Sequence, residues 1–335
     1  MARSGGEEGP PLFVVGCARS GTTLLRLMLH NHPDLAMTPE SPFIPELWAR
    51  RDRYDRHGAV DASGLTRDLM AQPRFAAWHV SEETVWRRVR ALERPAFADV
   101  VRAAFRAFAD NEGKPRWGNK TPSYVGQVPL LSELFPDARF VHLLRDGRDV
   151  APSLVARTWG PNTLPLAAGY WMRQVRRGHR AGRDLDPARY LEVRYEALVA
   201  DPEDALRAIS SFAGLAYHPD MLTRRATKAA RGARSPLGGD RGHVRLSEPP
   251  RPGVRDWRRD LSPGEVAVIE AVAGPALVEF GYPLSGRPIP AGARLRASGA
   301  LMAATAKRSL RRGIRRLAPS RDRTDGPAVD PPPDG

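Results

Sequence analysis

The chain has 335 residues, 41% of them hydrophobic, and a formal net charge of +14 at pH 7. That is enough for one large domain or two ordinary ones with a real core. Its single cysteine, Cys17, excludes an intrachain disulfide and fits a reducing compartment; no apolar run approaches the ~18 residues of a membrane span and MARSGGEEGPP has no signal segment, so a cytoplasmic protein is expected.

Residues 1–10 are polar and Gly-rich, which predicts a disordered N-terminus. Leu12 to Val15 is a short apolar run, Gly16 to Gly21 a small-residue turn, and Thr22 to Asn31 a helix-patterned stretch. Strand, loop and helix in this order aim unsatisfied backbone N–H groups and the positive end of the helix dipole at the loop, where an anion is the natural occupant. Arg19 adds a full charge, and Ser20, Thr22 and Thr23 add hydroxyls. The glycines fit half of the nucleotide P-loop, but Thr22 stands where that motif requires Lys. Cys17 reads as a small loop residue rather than a nucleophile.

Leu35 to Thr38 predicts a second strand, Pro39 to Pro42 a turn, Phe43 to Arg50 a helix and Arg51 to Ser63 a mobile charged loop. Ser81 predicts a helix start, with a further helix from Ala96 to Asn111. Trp78, Trp86, Phe97, Phe105 and Phe108 from this region fit either core or an apolar pocket wall. Trp117 to Pro122 reads as a compact loop, Tyr124 to Phe135 as a helix, and Arg139 to Leu144 as a strand running into Arg145-Asp146-Gly147-Arg148-Asp149. The helix that follows carries Ser153, with Arg157 expected one turn further on the same face. A long helix over 164–184, a strand at Tyr190 to Arg194, and helices over 202–213 and 263–280 complete the body. Lys228 to Asp256 reads as a long functional loop. His32 reads as a helix-end cap and His142 as core.

Alternating strands and helices predict an α/β fold, a P-loop-like central parallel sheet flanked by helices, occupying residues 11–285. Ligands of such sheets sit beyond the carboxyl ends of the strands, where the loops at Gly16, Glu40, Lys120 and Arg145 fall. Residues 286–335 form a basic, Pro-rich tail with eleven Lys/Arg against four Asp. Lys307 to Arg316 holds six basic residues and no acid, with Leu310, Ile314 and Leu317 at helical spacing. That pattern predicts either a solvated tail or a helix lying on an anionic membrane surface.

Two anion-binding loops, at Arg19 and at Arg145/Ser153, imply a ligand with phosphates at both ends. ARSGTTLLRLML and RDGRDVAPS together resemble the sulfotransferases that use 3′-phosphoadenosine 5′-phosphosulfate (PAPS), in a pattern similar to the tyrosylprotein sulfotransferases and their bacterial relatives. The resemblance implies the sulfotransferase fold and sulfuryl transfer from PAPS to an acceptor hydroxyl, without metal. It places Arg19, Ser20, Gly21, Thr22 and Thr23 on the 5′-phosphosulfate, Arg145 and Ser153 on the 3′-phosphate, and Arg157 and Tyr195 elsewhere on the cofactor. It makes Glu40 the general base and Lys120, with Arg19, a helper of the transferring group. Taken as bare residues, Glu40 fits a helix start, Lys120 a solvated loop lysine and Tyr195 a core aromatic. Pro42 stands where the tyrosylprotein enzymes carry an arginine that grips an acidic peptide, and Ser247 to Trp257 follows the family's late cofactor segment loosely, with Arg251 and Arg255 as its basic residues. The acceptor is a sugar, lipid, secondary-metabolite or tyrosine hydroxyl; nucleic acid is not an expected partner. The alternatives are a P-loop small-molecule kinase, sharing the strand-loop-helix, and a membrane- or nucleic-acid-binding protein driven by the basic tail.

Overall fold

The computed structural model describes residues 9–223 and 256–317, with side chains through residue 306. In chain order it contains β1 (Leu12–Gly16), α1 (Thr22–His30), β2 (Leu35–Thr38), α2 (Ile44–Ala49), β3 (Asp55–Arg56), β4 (Ala59–Val60), α3 (Ala62–Met70), α4 (Glu82–Arg90), α5 (Phe97–Asn111), β5 (Arg116–Lys120), α6 (Val128–Leu134), β6 (Arg139–Leu144), α7 (Gly147–Val155), α8 (Leu164–Arg183), β7 (Tyr190–Arg194), α9 (Tyr195–Ala200), α10 (Pro202–Ala213), α11 (Trp257–Asp260), α12 (Pro263–Glu279) and α13 (Ala291–Leu317). The chain divides into two compact units. The first draws on Met1–Gly16, Gly21–Leu143 and Gly178–Arg251, and the second on Cys17–Ser20, Leu144–Arg177 and Pro252–Gly335.

The first unit holds the expected parallel sheet, with strand order β2-β5-β1-β6-β7. β1 pairs in parallel with β5 and β6, and β2 with β5. Alternation along β1 divides its side chains between two cores. Phe13 and Val15 enter an aromatic-rich cluster with Trp78, Phe105, Trp117 and Phe135, while Leu12 and Val14 enter an aliphatic one with Leu25, Leu29 and Leu206. Burial on both faces is why the run reads as uninterrupted apolar sequence. Trp78, Phe97, Phe105 and Phe108 are core residues, whereas Trp86 is only partly buried.

Two sequence expectations fail here for physical reasons. Trp117 to Pro122 is not a loop: Arg116–Lys120 is the strand between β2 and β1. Its sequence, RWGNK, lacks β-branched residues, and the pairing is supplied by its neighbours. At Gly118 a Cβ would stand 2.4 Å from Met37 Sδ and 2.7 Å from the Leu12 carbonyl oxygen, so glycine permits the close packing. Arg51 to Ser63 is not an irregular loop either. A 3₁₀ turn (Arg51–Tyr54) leads into the β3–β4 hairpin. His57 and Gly58 both take positive φ at its tip, as a type I′ turn requires. Asp61 then caps α3 by accepting the Gly64 N–H at 2.8 Å.

The second unit is built from α7, the first part of α8, and α11 to α13 around a core that includes Cys17, Val150, Leu154, Trp171, Ile269 and Leu277. α12 starts at a capping box, in which Ser262 Oγ accepts the Glu265 N–H and Glu265 accepts the Ser262 N–H. The basic sequence from Lys307 to Arg316 is helical, being the end of α13. α7 stops at Val155, so Arg157 lies past the helix end and not on its face as expected; the Arg157 N–H closes a turn on the Leu154 carbonyl at 3.0 Å. Residues 1–8, the stretch 224–255 with Arg251 and Arg255, and residues 318–335 lie outside the described residues.

Candidate active site

In the first unit the chemistry gathers where strands end. β2 ends at Thr38, two residues before Glu40, and β5 ends at Lys120. Lys120 Nζ donates to Glu40 Oε1 at 2.6 Å and to Thr23 Oγ1, in the first turn of α1, at 3.2 Å. Arg74, just before a 3₁₀ turn, approaches Glu40 Oε2 at 3.7 Å. Lys120 is 3% exposed while the Glu40 side chain keeps 36%, so the pair has a dry cation and an accessible carboxylate. Burial pushes the Glu40 carboxyl up, but Lys120, Arg74 and Arg26 together hold it below the ordinary carboxylate range. Burial depresses the Lys120 ammonium, aided by Arg26 and Arg74 and opposed by Glu40. Arg26, beneath them, is pushed down to about 10 by burial against the pull of Glu40 and Glu112.

The backbone around Glu40 is tied down on both sides. Asn119 Nδ2 donates to Thr38 Oγ1 (2.8 Å) and Ser41 Oγ (3.2 Å), and the Ser41 N–H donates to Thr121 Oγ1 (2.9 Å). The Tyr124 hydroxyl donates to the Ser41 carbonyl and accepts the Ile44 N–H. Glu40 is therefore not a helix cap. α2 starts only at Ile44, and the loop holding Glu40 is pre-organised by partners from β5 and the turn after it. At the start of α1, Gly21 has φ +95°, and a Cβ there would stand 2.4 Å from Tyr195 Cδ2. Tyr195 thus floors the turn and sets how closely backbone can approach it.

The second unit contains the other cluster. Cys17 to Ser20 form a tight turn in which the Ser20 N–H bonds to the Cys17 carbonyl and Arg19 takes φ +74°. A left-handed conformation costs a non-glycine residue about 1–2 kcal/mol, and such strain collects at functional sites. Arg19 Nε donates to Ser153 Oγ at 3.0 Å, joining the two motifs that the sequence shows 134 positions apart. Ser20 Oγ is buried with no hydrogen-bond partner among the described residues. A buried hydroxyl without a partner is costly unless a ligand supplies one. The Cys17 thiol is buried in the apolar core, and its pKa is driven up by burial against the weaker pull of Arg173, the opposite of what an activated thiolate needs.

Arg145 follows β6 with its side chain 9% exposed. Its backbone carbonyl accepts from Trp171 Nε1 at 2.9 Å, and its guanidinium comes within 4.0 Å of Asp149 Oδ2. Asp149 also accepts the Trp257 N–H at 2.8 Å. The neighbouring Arg148 has a different role. It is fully buried, bonded through two nitrogens to Asp146 and through a third to Glu270 at 2.8 Å, and lies 3.7 Å over the Trp257 ring. Burial opposes its charge, but Asp146 and Glu270 outweigh that and raise its pKa.

Sequence reading missed Arg74, Asn119, Ser41, Trp171 and Glu270. Asn119 adjoins Lys120 and was within reach of the motif; Arg74 and Glu270 carry no local signal, since their roles depend on partners 34 and 122 residues away. Among the described residues, no three His, Cys, Asp or Glu side chains gather as a metal site would require, and no helix is long and apolar enough to cross a membrane.

The sequence profile of the sulfotransferase family matches residues 10–219. Protein-tyrosine sulfotransferase 2 of Gallus gallus is 26% identical over 292 residues, covering 82% of this chain and 70% of that protein. Nodulation protein NoeE of Sinorhizobium fredii is 28% identical over 300 residues, covering 81% of this chain and 65% of that protein, so the chain spans just under two thirds of its length. Among solved structures, the sulfotransferase domain of the Synechococcus PCC 7002 olefin synthase aligns with a TM-score of 0.60 at 25% identity, covering 84% of this chain and 98% of that one. The motif resemblance, the parallel sheet and these relatives agree, and the chain belongs to the sulfotransferase family.

Proposed function

We propose that the chain transfers the sulfuryl group of PAPS to an acceptor hydroxyl, with Glu40 as general base. The observation that carries this reading is the Arg19–Ser153 hydrogen bond, which brings the 5′-phosphosulfate loop and the 3′-phosphate motif into one cluster within the second unit. The residues fit the ligand. The Ser20 hydroxyl offers a buried donor, and Arg19 is held in a left-handed conformation that a plain turn would give to glycine. Ser20, with Gly21, Thr22 and Thr23, receives the 5′ end; Arg145 and Ser153 receive the 3′-phosphate; Arg157 and Tyr195 bound the remainder.

PAPS supplies an activated sulfuryl group on a phosphate leaving group. Glu40, ionised at neutral pH and open to solvent on one side, takes the acceptor proton. Lys120, held against Thr23 and Glu40, and Arg19 oppose the charge that builds on the departing bridging oxygen. Family membership leaves no support for the small-molecule kinase. The acceptor class is a sugar, lipid, secondary-metabolite or tyrosyl hydroxyl.

The test is calorimetry with 3′-phosphoadenosine 5′-phosphate and adenosine 5′-phosphosulfate, which differ at the 3′-phosphate. Arg145→Ala should weaken the first by roughly ten- to a hundred-fold, the magnitude of a lost charge-assisted bond, and leave the second nearly unchanged. Equal loss on both ligands, or tighter binding of ATP with Mg²⁺ by the parent protein, would overturn the reading.

A further inference from the structure

The last helix, α13, is sorted into two faces. Ala293 and Ala297 are buried, Ala293 packs with Ala267 and Val268 of α12, and Leu301 lies beside Gly169 of α8. These residues recur every four positions and mark the inward stripe. On the outer side Leu295 and Met302 are 73% and 66% exposed. They are seven residues apart, two helical turns, and so lie one above the other. In sequence, leucines recur at the next steps of eight and seven, Leu310 and Leu317, within the same helix.

Charge on this helix is all of one sign. Its 27 residues hold eight Lys/Arg and no Asp or Glu. A helix adapted to water alone interleaves acids, because i,i+4 pairs stabilise it and like charges repel. An all-cationic helix is relieved by an anionic surface. Nucleic acid would answer the cations but offers nothing to Leu295 and Met302. An anionic lipid surface answers both, since it takes apolar side chains at the acyl boundary and cations at the headgroups.

We propose that the outer face of α13 docks this protein on an anionic membrane surface, with Leu295 and Met302 entering the lipid and the basic residues of the helix held by headgroups. The helix lies on the membrane and does not span it. Docking is independent of the PAPS reading, because none of these residues belongs to the site described above.

The experiment uses the full chain and vesicles of phosphatidylcholine, alone or with about one-third phosphatidylglycerol, at low and high salt. Parent protein should co-sediment with anionic vesicles only, and high salt should release most of it. Leu295→Glu with Met302→Glu should reduce binding at least about tenfold, since two apolar contacts become repelled anions. Arg311→Gln with Arg312→Gln should reduce it by roughly fivefold or more per charge removed. Unchanged affinity for 3′-phosphoadenosine 5′-phosphate reports that each variant is folded. Absence of binding to anionic vesicles, equal binding by the Leu295/Met302 variant, or preference for a DNA duplex over vesicles would overturn the proposal.

Discussion

Each unit of this molecule contains a carboxylate–cation cluster, and the two are built to opposite ends. In the second unit Arg148 is fully buried, Asp146 takes two of its nitrogens and Glu270 a third, and Trp257 covers its face. In the first unit Glu40 faces three cations, Lys120, Arg74 and the buried Arg26, yet keeps 36% of its side chain exposed. A buried charge held by partners on every side serves as scaffold, because moving it uncovers another charge. A carboxylate that is charged, anchored and still open to solvent fits the proposed role of general base. The difference between the clusters lies in where the opening is, not in the residue types.

The comparison breaks first at Arg148. Arg148→Met leaves the Asp146 and Glu270 carboxylates buried without their shared guanidinium, and the expected loss of stability is about 3–5 kcal/mol in urea unfolding. Urea resistance close to that of the parent would mean that the cluster is not scaffold.

Glu40 should behave in the reverse manner. Glu40→Gln preserves shape and removes the proposed base, so turnover should fall roughly 10²-fold or more while affinity for 3′-phosphoadenosine 5′-phosphate changes little. Parent-like turnover would assign Glu40 to structure and send the search for the base elsewhere.

The smallest effect belongs to Arg74, which sharpens the comparison through pH. Lys120 and its companions hold Glu40 below the ordinary carboxylate range, so the acid limb of the turnover profile should lie below that range as well. Removing a cation favours the neutral acid and raises the pKa. Arg74→Ala should therefore move the acid limb to higher pH, modestly, because Arg74 is half exposed and its approach to Glu40 is 3.7 Å. A limb that stays fixed would show that Arg74 takes no part in setting the charge of Glu40.

Linkage gives a matching stability signature. A depressed carboxyl stabilises the fold above its unfolded pKa, and that contribution disappears as pH falls through the folded pKa. The Glu40→Gln variant should accordingly lose less stability than the parent on acidification below about pH 4.5, the ordinary glutamate value.

Much of this was legible locally. The Leu12–Gly16 strand, its glycine turn and the Thr22 helix are a contiguous signal in which backbone sterics and apolar alternation act within a few residues. The same holds for β6, whose limits the sequence marks by an apolar run and a following Arg-Asp-Gly. β5 was illegible because RWGNK has little strand propensity beyond Trp117, and its conformation comes from hydrogen bonds to β1 and β2. The β3–β4 hairpin was missed because charge obscured a His57-Gly58 turn.

The sequence by itself determined the order of the motifs, the excess of cations and the chemistry that each loop offers, because these are properties of residue type and short spacing. Tertiary structure alone decided which charges are locked into buried clusters and which keep an exposed side. Arg145 and Arg148 stand three positions apart in one motif, with Asp146 and Asp149 close in sequence to both. What separates them is Glu270, 122 residues away from Arg148, which fixes that guanidinium in the interior. Glu40 acquired its environment in the same way, from Lys120, 80 residues on, and from Arg74. Electrostatic energies depend on distance and burial, and both are set by how the chain folds back on itself.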